Sequence, residues 1–424
     1  MKYFIKIFVF AFVFAVSGAD VSFAGGADEN YNQSAEYVRT LNRNASTDSA
    51  DAIFYNPAGI IKLEDGMYIS VSNQFIFKEY KHELSGIEYK SDYPSLFFPD
   101  IYAVYKQNNW SAFASFTVPG GGGKVDYKNG SATTAGLRTT IASALSTALG
   151  GSTITSSSMN LISESMYLAG TFGGAYAVND TVSLSIGLRY ISVKNTADGA
   201  ASWRQGPLTI PVTTDLEYED SGQGIGGIIG INYLPRNDIN IGIKYEMRTD
   251  LELTTSVKSQ SVTVNGAKNA ALSAALATDG KKKRNDLPAL LGTGVSYMIT
   301  PELRGEVDFN YYFTTGANAD DAKKDYKDSY EYGFALEYSL MPRIKVSGGF
   351  LYSVLGAKDA NFGPAENPDL DCYSIAVGAL YKASPNLDIN FGMLRTFYKE
   401  DTTSTNIKLN KSVSNIALGA QYKF

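Results

Sequence analysis

The chain has 424 residues and is mildly acidic, with 37 basic and 43 acidic residues, one cysteine and one histidine. A net negative charge spread along the chain argues against a nucleic-acid partner. A lone Cys372 excludes an intramolecular disulfide, and a lone His82 leaves little for metal or nucleophile chemistry. The residues in excess are 40 Gly, 29 Tyr and 22 Phe, which suit a large antiparallel β-structure with aromatic belts better than a helical enzyme.

Residues 1–24 read as a targeting segment. Lys2 and Lys6 give a positive start, Ile7 to Val16 is an apolar run of about ten residues, and Ser22-Phe23-Ala24 supplies small residues where a signal peptidase reads. Cleavage is placed before Gly25, with Ser17-Gly18-Ala19 as the competing site. Removing Lys2, Lys6 and Asp20 leaves 35 basic and 42 acidic residues, a charge of −7. The apolar run is too short for a transmembrane helix, which needs about 20 apolar residues, and no later stretch reaches that length. The protein therefore either crosses a membrane with strands or is simply secreted.

Residues 25–65 are polar and show no strand pattern. Their centre is Asn44 to Ile61, NASTDSADAIFYNPAGII. Pro57 disfavours the α region for its predecessor and fixes its own φ, so a helix running through Asn56 is not expected. Ala58-Gly59 adds two minimal side chains and lets the backbone approach something closely. Ahead of a barrel such a kink reads as a plug; on spacing alone, a turn leading into the first strand stays open. The strings Asn32-Gln33-Ser34, Asn44-Ala45-Ser46-Thr47, Asp51-Ala52 and Phe54-Tyr55-Asn56-Pro57-Ala58-Gly59 resemble the N-terminal hatch of the FadL-type outer-membrane transporters. That family carries long-chain fatty acids and other hydrophobic compounds into Gram-negative cells. The resemblance covers the layout of the whole mature chain, although the loops show no match. It implies a hatch at 25–65 inside a barrel at 66–424, with Asn56, Pro57, Ala58 and Gly59 as the moving part.

From residue 66 the chain alternates with period two. Val182 to Tyr190, Ile239 to Met247, Ile344 to Tyr352 and Leu387 to Phe397 each place apolar residues on one face and polar or small ones on the other. Leu303 to Phe313 sets Leu303, Val307, Phe309, Tyr311 and Phe313 against Arg304, Glu306, Asp308 and Asn310. Segments of about ten such residues mark a membrane barrel; a soluble sandwich is the competing reading. Connection lengths separate the two. Short turns at 107–109, 178–180, 235–238, 300–301, 341–342 and 384–386 alternate with long connections at 81–97, 119–160, 195–215, 250–286, 314–328, 354–371 and 399–411. Periplasmic turns and extracellular loops sort this way. The strands are then 66–80, 98–107, 110–118, 161–178, 181–194, 216–234, 237–249, 287–299, 302–313, 329–340, 343–353, 372–383, 386–398 and 412–424, fourteen in all.

Within this frame the third strand is rich in small residues, including Ser111, Ala112, Ala114 and Ser115, and runs into Pro119-Gly120-Gly121-Gly122-Gly123. Proline cannot donate to a ladder and a glycine run weakens pairing. The resemblance implies a use for such a weak point, a lateral opening of the wall with Ser115, Pro119, Gly120 and Gly121 as candidates, the alternative being that Pro119 merely tops the strand. In the loops, Leu137, Ile141, Leu145 and Leu149 recur at steps of four on a helix over 132–149, and Leu272 and Leu276 repeat the spacing over 270–278. The resemblance implies that Leu137, Ile141, Leu145, Leu272 and Leu276 form a greasy loop groove for ligand; each helix packing its own loop is the alternative. The run Lys281 to Arg284 reads as a solvated face, and His82, with Glu79, Glu83 and Glu88 nearby on a long connection, as a solvated histidine. Inward Arg189, Lys244, Glu246, Arg304, Glu306, Asp308 and Lys345 read as lumen charge networks that hold the hatch. In the last strand Ile416, Leu418, Ala420, Tyr422 and Phe424 share the outward face, and Tyr422 with the terminal Phe424 resembles the signal read by barrel assembly machinery.

No catalytic constellation is present, and no enzyme activity, metal or cofactor is expected. The fold expected is a fourteen-stranded antiparallel outer-membrane β-barrel with an N-terminal hatch in the lumen. The function the resemblance implies is passive uptake of a long-chain fatty acid or similar hydrophobic ligand, captured at outer loops and released sideways as the hatch moves. A general diffusion porin is the runner-up, and an adhesin or enzyme barrel a third class. The setting implied is the outer membrane of a Gram-negative cell, with outer-membrane lipids, lipopolysaccharide and the assembly machinery as partners and a monomer as the working form.

Overall fold

The computed structural model describes residues 33–317, 326–357 and 361–424. The expected signal peptide, 1–24, and the first hatch residues, 25–32, lie outside them. The barrel strands in chain order are β1 Gly66–Leu84, β2 Pro99–Gln107, β3 Trp110–Tyr127, β4 Ile154–Ala177, β5 Val182–Gln205, β6 Ile210–Arg236 and β7 Ile239–Glu246. They continue as β8 Leu290–Met298, β9 Leu303–Tyr312, β10 Ser329–Met341, β11 Ile344–Val354, β12 Cys372–Ser384, β13 Leu387–Tyr398 and β14 Lys408–Lys423. Each pairs antiparallel with the next, and β1 pairs with β14 from Tyr68 opposite Lys423 to Glu83 opposite Lys408. The sheet thus closes with no free edge, as a hydrocarbon surround requires. The fourteen strands of the sequence reading are these.

The alternation does what it promised. On β14, Asn415, Ala417, Gly419 and Gln421 face the lumen, while Leu418, Ala420 and Tyr422 face out and are exposed. Exposed Tyr105, Trp110, Tyr176, Tyr233, Tyr297, Tyr338, Tyr381 and Tyr422 ring the end with short turns. Exposed Phe77, Tyr190, Tyr332, Tyr373 and Phe397 mark the other rim, where Tyr373 and Phe397 stack at 5.0 Å. Two aromatic girdles bounding an apolar band are the signature of a bilayer-embedded barrel.

Three strands outrun the bilayer. β4, β5 and β6 have 24, 24 and 27 residues, against about 10 needed to span. Their upper ends, 154–160, 195–205 and 210–215, read from sequence as loops, stay paired to Gln205 opposite Ile210, and the strand Glu252–Val264 extends the same sheet. The reading missed them because small and hydroxylated residues such as Ser158, Ala200 and Ser202 blur the alternation. Across the inner face of this raised sheet lies helix α3, Ala132–Leu149, begun by a capping box at Ser131 and ended by Gly150 at φ +72°. A shorter helix, α4, spans Ala270–Ala274.

Inside the barrel sit α1 Ala35–Val38, α2 Ala52–Tyr55 and a 3₁₀ turn, Pro57–Lys62, with nearly every residue of 33–63 buried. Together these short helices form the hatch.

Candidate functional site: a seated hatch and a break in the wall

The hatch lies against the wall along a track of inward glycines. A Cβ on Gly349 of β11 would lie 1.8 Å from the Thr40 carbonyl oxygen, and one on Gly242 of β7 would lie 1.9 Å from that of Asn44. Gly333, Gly378, Gly392 and Gly419, on four further strands, meet Asn42, Arg39, Val38 and Ala35 in the same way. The backbone from Ala35 to Ala45 therefore follows the wall strand by strand, at a distance only glycine permits. From the alternation alone these glycines are merely small residues on the inward face. Their signal, glycine at inward positions of successive strands, was legible.

Charge and amide groups fix the register. Arg39, fully buried, pairs with Glu337 of β10 and donates from Nε to Asn390 at 3.0 Å, while Lys345 reaches the same glutamate at 3.1 Å. Asp308 of β9 accepts the backbone N–H of Arg43 and of Asn44 at 2.7 and 2.9 Å, and Glu306 that of Ala45 at 2.9 Å. Within the hatch Arg43 is paired to Asp51 at 2.6 Å and Asp48 at 2.9 Å. The lumen charge networks expected from sequence are present and engage the hatch directly.

The FYNPAG turn is the second anchor. Asn56 caps its own 3₁₀ turn, its Oδ1 accepting from the Ala58 N–H at 3.3 Å, and its Nδ2 donates to the Ile231 carbonyl at 3.0 Å. Ser183 donates to the Ala58 carbonyl at 2.8 Å, and Lys244, paired to Glu246 at 2.6 Å, donates to that of Phe54 at 2.6 Å. Arg189 completes the triad on Glu246 at 2.5 Å. Pro57 opens the turn, and Gly59 is required because a Cβ would meet the Ser46 carbonyl oxygen at 2.2 Å. Asn56, Pro57, Ala58 and Gly59 thus form one turn bonded to β5 and β6, with Phe54 just ahead of it bonded to β7.

The wall itself is interrupted on one side. The β2–β3 ladder ends at Ile101 opposite Phe116, and the β3–β4 register slips twice, between Thr117 and Gly120 and again between Gly120 and Gly123. Pro119 therefore lies within the strand, not at its top, and β3 continues to Tyr127. Gly121 and Gly123 hold φ of +98° and +61°. A Cβ on Gly121 would lie 2.4 Å from the Ser165 carbonyl oxygen and one on Gly123 2.5 Å from Ser95 Oγ. Beside the slipped stretch, where β2 should continue, runs the irregular segment 92–98. It is held to β1 by the Ser95–Ile76 bridge and by the Phe98 N–H donated to Asn73 at 2.9 Å. Leu96 and Phe97 point outward from it, 53% and 78% exposed. Pro119, Gly120 and Gly121 lie at the break; Ser115 lies below it, paired with Tyr102 and Thr171.

An apolar cluster crosses the wall at this level. Ile76, Tyr80, Phe98 and Val118 belong to it, and Met166 and Leu168, on the face of β4 opposite lumen-facing Tyr167, pack against it. On the outer surface these two floor a recess of about 310 Å³ rimmed by Glu164, Ser192, Lys194 and Thr196.

The loop helices meet, and the predicted leucines pack together between them. Leu137, Ile141, Leu145 and Leu276 are buried in one core with Trp203, Val212 and Leu216 of the raised sheet, and Leu272 packs at its edge. Two other sequence readings change. His82 is 1% exposed rather than solvated, because the 81–97 connection is a hairpin in which Tyr89 lies opposite it. Lys283, in the basic run, is buried against Asp220 at 3.2 Å, while Lys282 stays on the surface beside Glu252. At the chain end Tyr422 and Phe424 are outward, edge to face at 4.7 Å.

A closed antiparallel barrel with lipid-facing girdles, filled by its own N-terminal segment and broken on one side, is an outer-membrane transport barrel. The sequence profile of the family described as "Outer membrane protein transport protein (OMPP1/FadL/TodX)" matches residues 15–424, and the chain belongs to that family. It is 21% identical over 279 residues to Outer membrane protein P1 of Haemophilus influenzae, a match covering 54% of this chain and 58% of that protein. The chain thus spans little more than half the length of this relative. In fold it is similar to the toluene transporter TodX of Pseudomonas putida, with a TM-score of 0.65, 14% identity and coverage of 94% of this chain and all of that one. The toluene transporter TbuX of Ralstonia pickettii gives a TM-score of 0.59 at 18% identity over 89% and 94% of the two chains. A FadL homologue of Pseudomonas aeruginosa gives 0.65 at 14% over 95% and 100%. The protein is an outer-membrane barrel of a transporter family rather than an enzyme family.

Proposed function

We propose that the protein carries small hydrophobic compounds, long-chain fatty acids or monoaromatics among them, across the outer face of the cell envelope and releases them sideways through the break in β3. The observation that carries this reading is the apolar cluster that passes from Ile76 and Tyr80 to Met166 and Leu168 where the ladder of β3 is interrupted. The lumen below is filled by the bonded hatch, so a straight path to the periplasm would require dismantling buried ion pairs. Release into water would also cost about 0.8 kcal/mol per exposed CH₂, whereas an exit into lipid avoids that loss. Names of the similar structures, two toluene transporters and a FadL homologue, support a hydrophobic cargo. A filled lumen weighs against the porin reading.

The role of Asn56–Gly59 is revised in this proposal. Movement of that turn would break its bonds to β5 and β6 and pull on the adjoining bond from Phe54 to β7, so it is an anchor, and the wall segment 117–123 is the moving part. The test is to delete Gly121 and Gly122, which allows β3 to pair without a bulge. Uptake of both decane and dodecanoic acid by cells should fall to background while the purified barrel keeps its heat-modifiable mobility on gels. Uptake that persists through such a continuous wall places the exit elsewhere.

A further inference from the structure

We infer that His82 is a proton-operated latch that holds the outer helix α3 closed over the apolar cluster and releases it as the surroundings acidify. His82 stands near the top of β1, beyond Phe77, the last exposed aromatic on that strand's lipid face. Its Nε2 accepts the backbone N–H of Ala132, the first residue of α3, at 2.9 Å. A backbone N–H only donates, so Nε2 carries no proton in this arrangement and the ring is neutral. The ring lies between Tyr89 and Tyr127, both with centroids at 5.2 Å. The next amide of the helix, Thr133, donates to Glu366 Oε1 at 3.3 Å, and the Tyr127 hydroxyl donates to the Glu366 carbonyl at 2.9 Å. One side chain from β1 and one residue of the 361–371 segment therefore hold the start of an 18-residue helix.

Protonation reverses each of these contacts. The acceptor becomes a donor facing the Ala132 N–H, and a cation is set against the positive end of the helix dipole. The charged groups around the ring do not cancel this. Glu366 is the near carboxylate and would draw the imidazolium toward itself, away from the helix. From β14, Lys411 stands over the Tyr80 ring at 4.9 Å. Lys78 of β1 lies 5.6 Å from the same ring, and Arg138 of α3 acts on Tyr89. All three are cations. From the 81–97 hairpin and from β3 the facing groups are the phenols of Tyr89 and Tyr127. Burial also lowers the proton affinity of His82 below that of an open histidine, despite the opposing pull of Glu366.

The sign follows. The closed form is fully favoured above the ordinary histidine value of about 6.5 and loses ground as pH falls through it, until the closed form itself takes up the proton. What opens is defined by what the first turn covers. Ala135 packs on the cluster of Ile76, Tyr80 and Val118, and Ala132 on Leu370 and Leu409. Lifting that turn exposes from outside the same cluster that reaches the wall break. On the transport reading proposed above, acid then opens the entrance.

The latch is tested without any ligand, so its failure is separable from that of the transport reading. Amide exchange of residues 132–135, corrected for the intrinsic pH effect, is read on the full-length barrel in lipid nanodiscs at pH 7.5 and pH 5.0. The wild type should exchange severalfold faster at the lower pH, because the open form takes up the proton before the closed form does. His82→Gln keeps an acceptor and cannot titrate, and should be slow at both; His82→Phe lacks the acceptor and should be fast at both. A wild type with no pH response, or a His82→Gln variant with the wild-type response, overturns the latch. Should His82→Gln not assemble, Glu366→Gln removes the nearest counter-charge and should raise the acid response; a diminished response overturns the proposal.

Discussion

Two single residues set the limits of what the hatch and the chain end tolerate. Arg39 is fully buried and its partner Glu337 is 4% exposed. Removing one member of a buried ion pair costs about 3–5 kcal/mol where the other charge is left unpaired, an upper bound here because Lys345 still faces Glu337 at 3.1 Å, whereas replacing both by apolar groups is often neutral. Arg39→Met should therefore lower the heat-modifiability temperature of the purified barrel, and Arg39→Met with Glu337→Leu should recover most of it. The reverse ranking would mean that the pair does not tie the hatch down. For Phe424 we propose a role at a different step, assembly. Its ring is 65% exposed, and its N–H donates to the Met67 carbonyl across the closing seam at 2.9 Å. Its ring packs edge to face on the equally outward Tyr422. Deleting Phe424 should reduce the amount of barrel in the outer membrane, with uptake per assembled molecule unchanged; normal abundance with lost uptake would refute the assembly role.

At the scale of elements, the glycine track gives a sharp prediction. Gly349→Val on β11 places a side chain where the Thr40 carbonyl sits, so the hatch must lift from the wall while β11, paired on both sides, stays in place. Protease nicking within 33–63 should become fast, with the barrel band intact. By contrast Gly348→Val, facing lipid one residue earlier with its nearest neighbour at 3.5 Å, should leave nicking unchanged. Equal protection in both variants would deny the track. The strands were legible in sequence because a lipid surround forces strict alternation over Ile239–Met247 and Leu303–Phe313. The break was half legible. Pro119 and the glycines after it announced weak pairing, but only the register with Tyr167 and Ser165 shows that the strand resumes beyond them. The raised sheet was hidden because outside the bilayer its outer face needs no apolar residues, and Ser202 and Thr213 fit there as well as in a loop. His82 was misjudged for a related reason. Its burial depends on Tyr89, α3 and Glu366, which lie far apart in the sequence and meet only when the loops close.

For the whole molecule the hatch is part of the wall's own chemistry rather than a stopper placed in a finished pore. Glu306, Asp308, Glu337, Asn240 and Lys244 point into the lumen and find their partners in residues 39–58. A barrel emptied of these residues would keep its ladder, since the wall strands pair with one another from β1 round to β14. Its inward charges would face water, which solvates them at little cost compared with leaving them dry and unpaired. Deleting residues 33–63 should therefore give a barrel that still inserts and remains heat-modifiable, but that conducts ions steadily in planar bilayers where the intact protein does not. The same deletion should abolish ligand-specific uptake, because Ile76, Tyr80 and Val118 would open onto a water-filled lumen and hydrophobic cargo would lose the dry path to the break. A deletion variant as silent in bilayers as the intact protein would show that the loops above, not residues 33–63, seal the barrel.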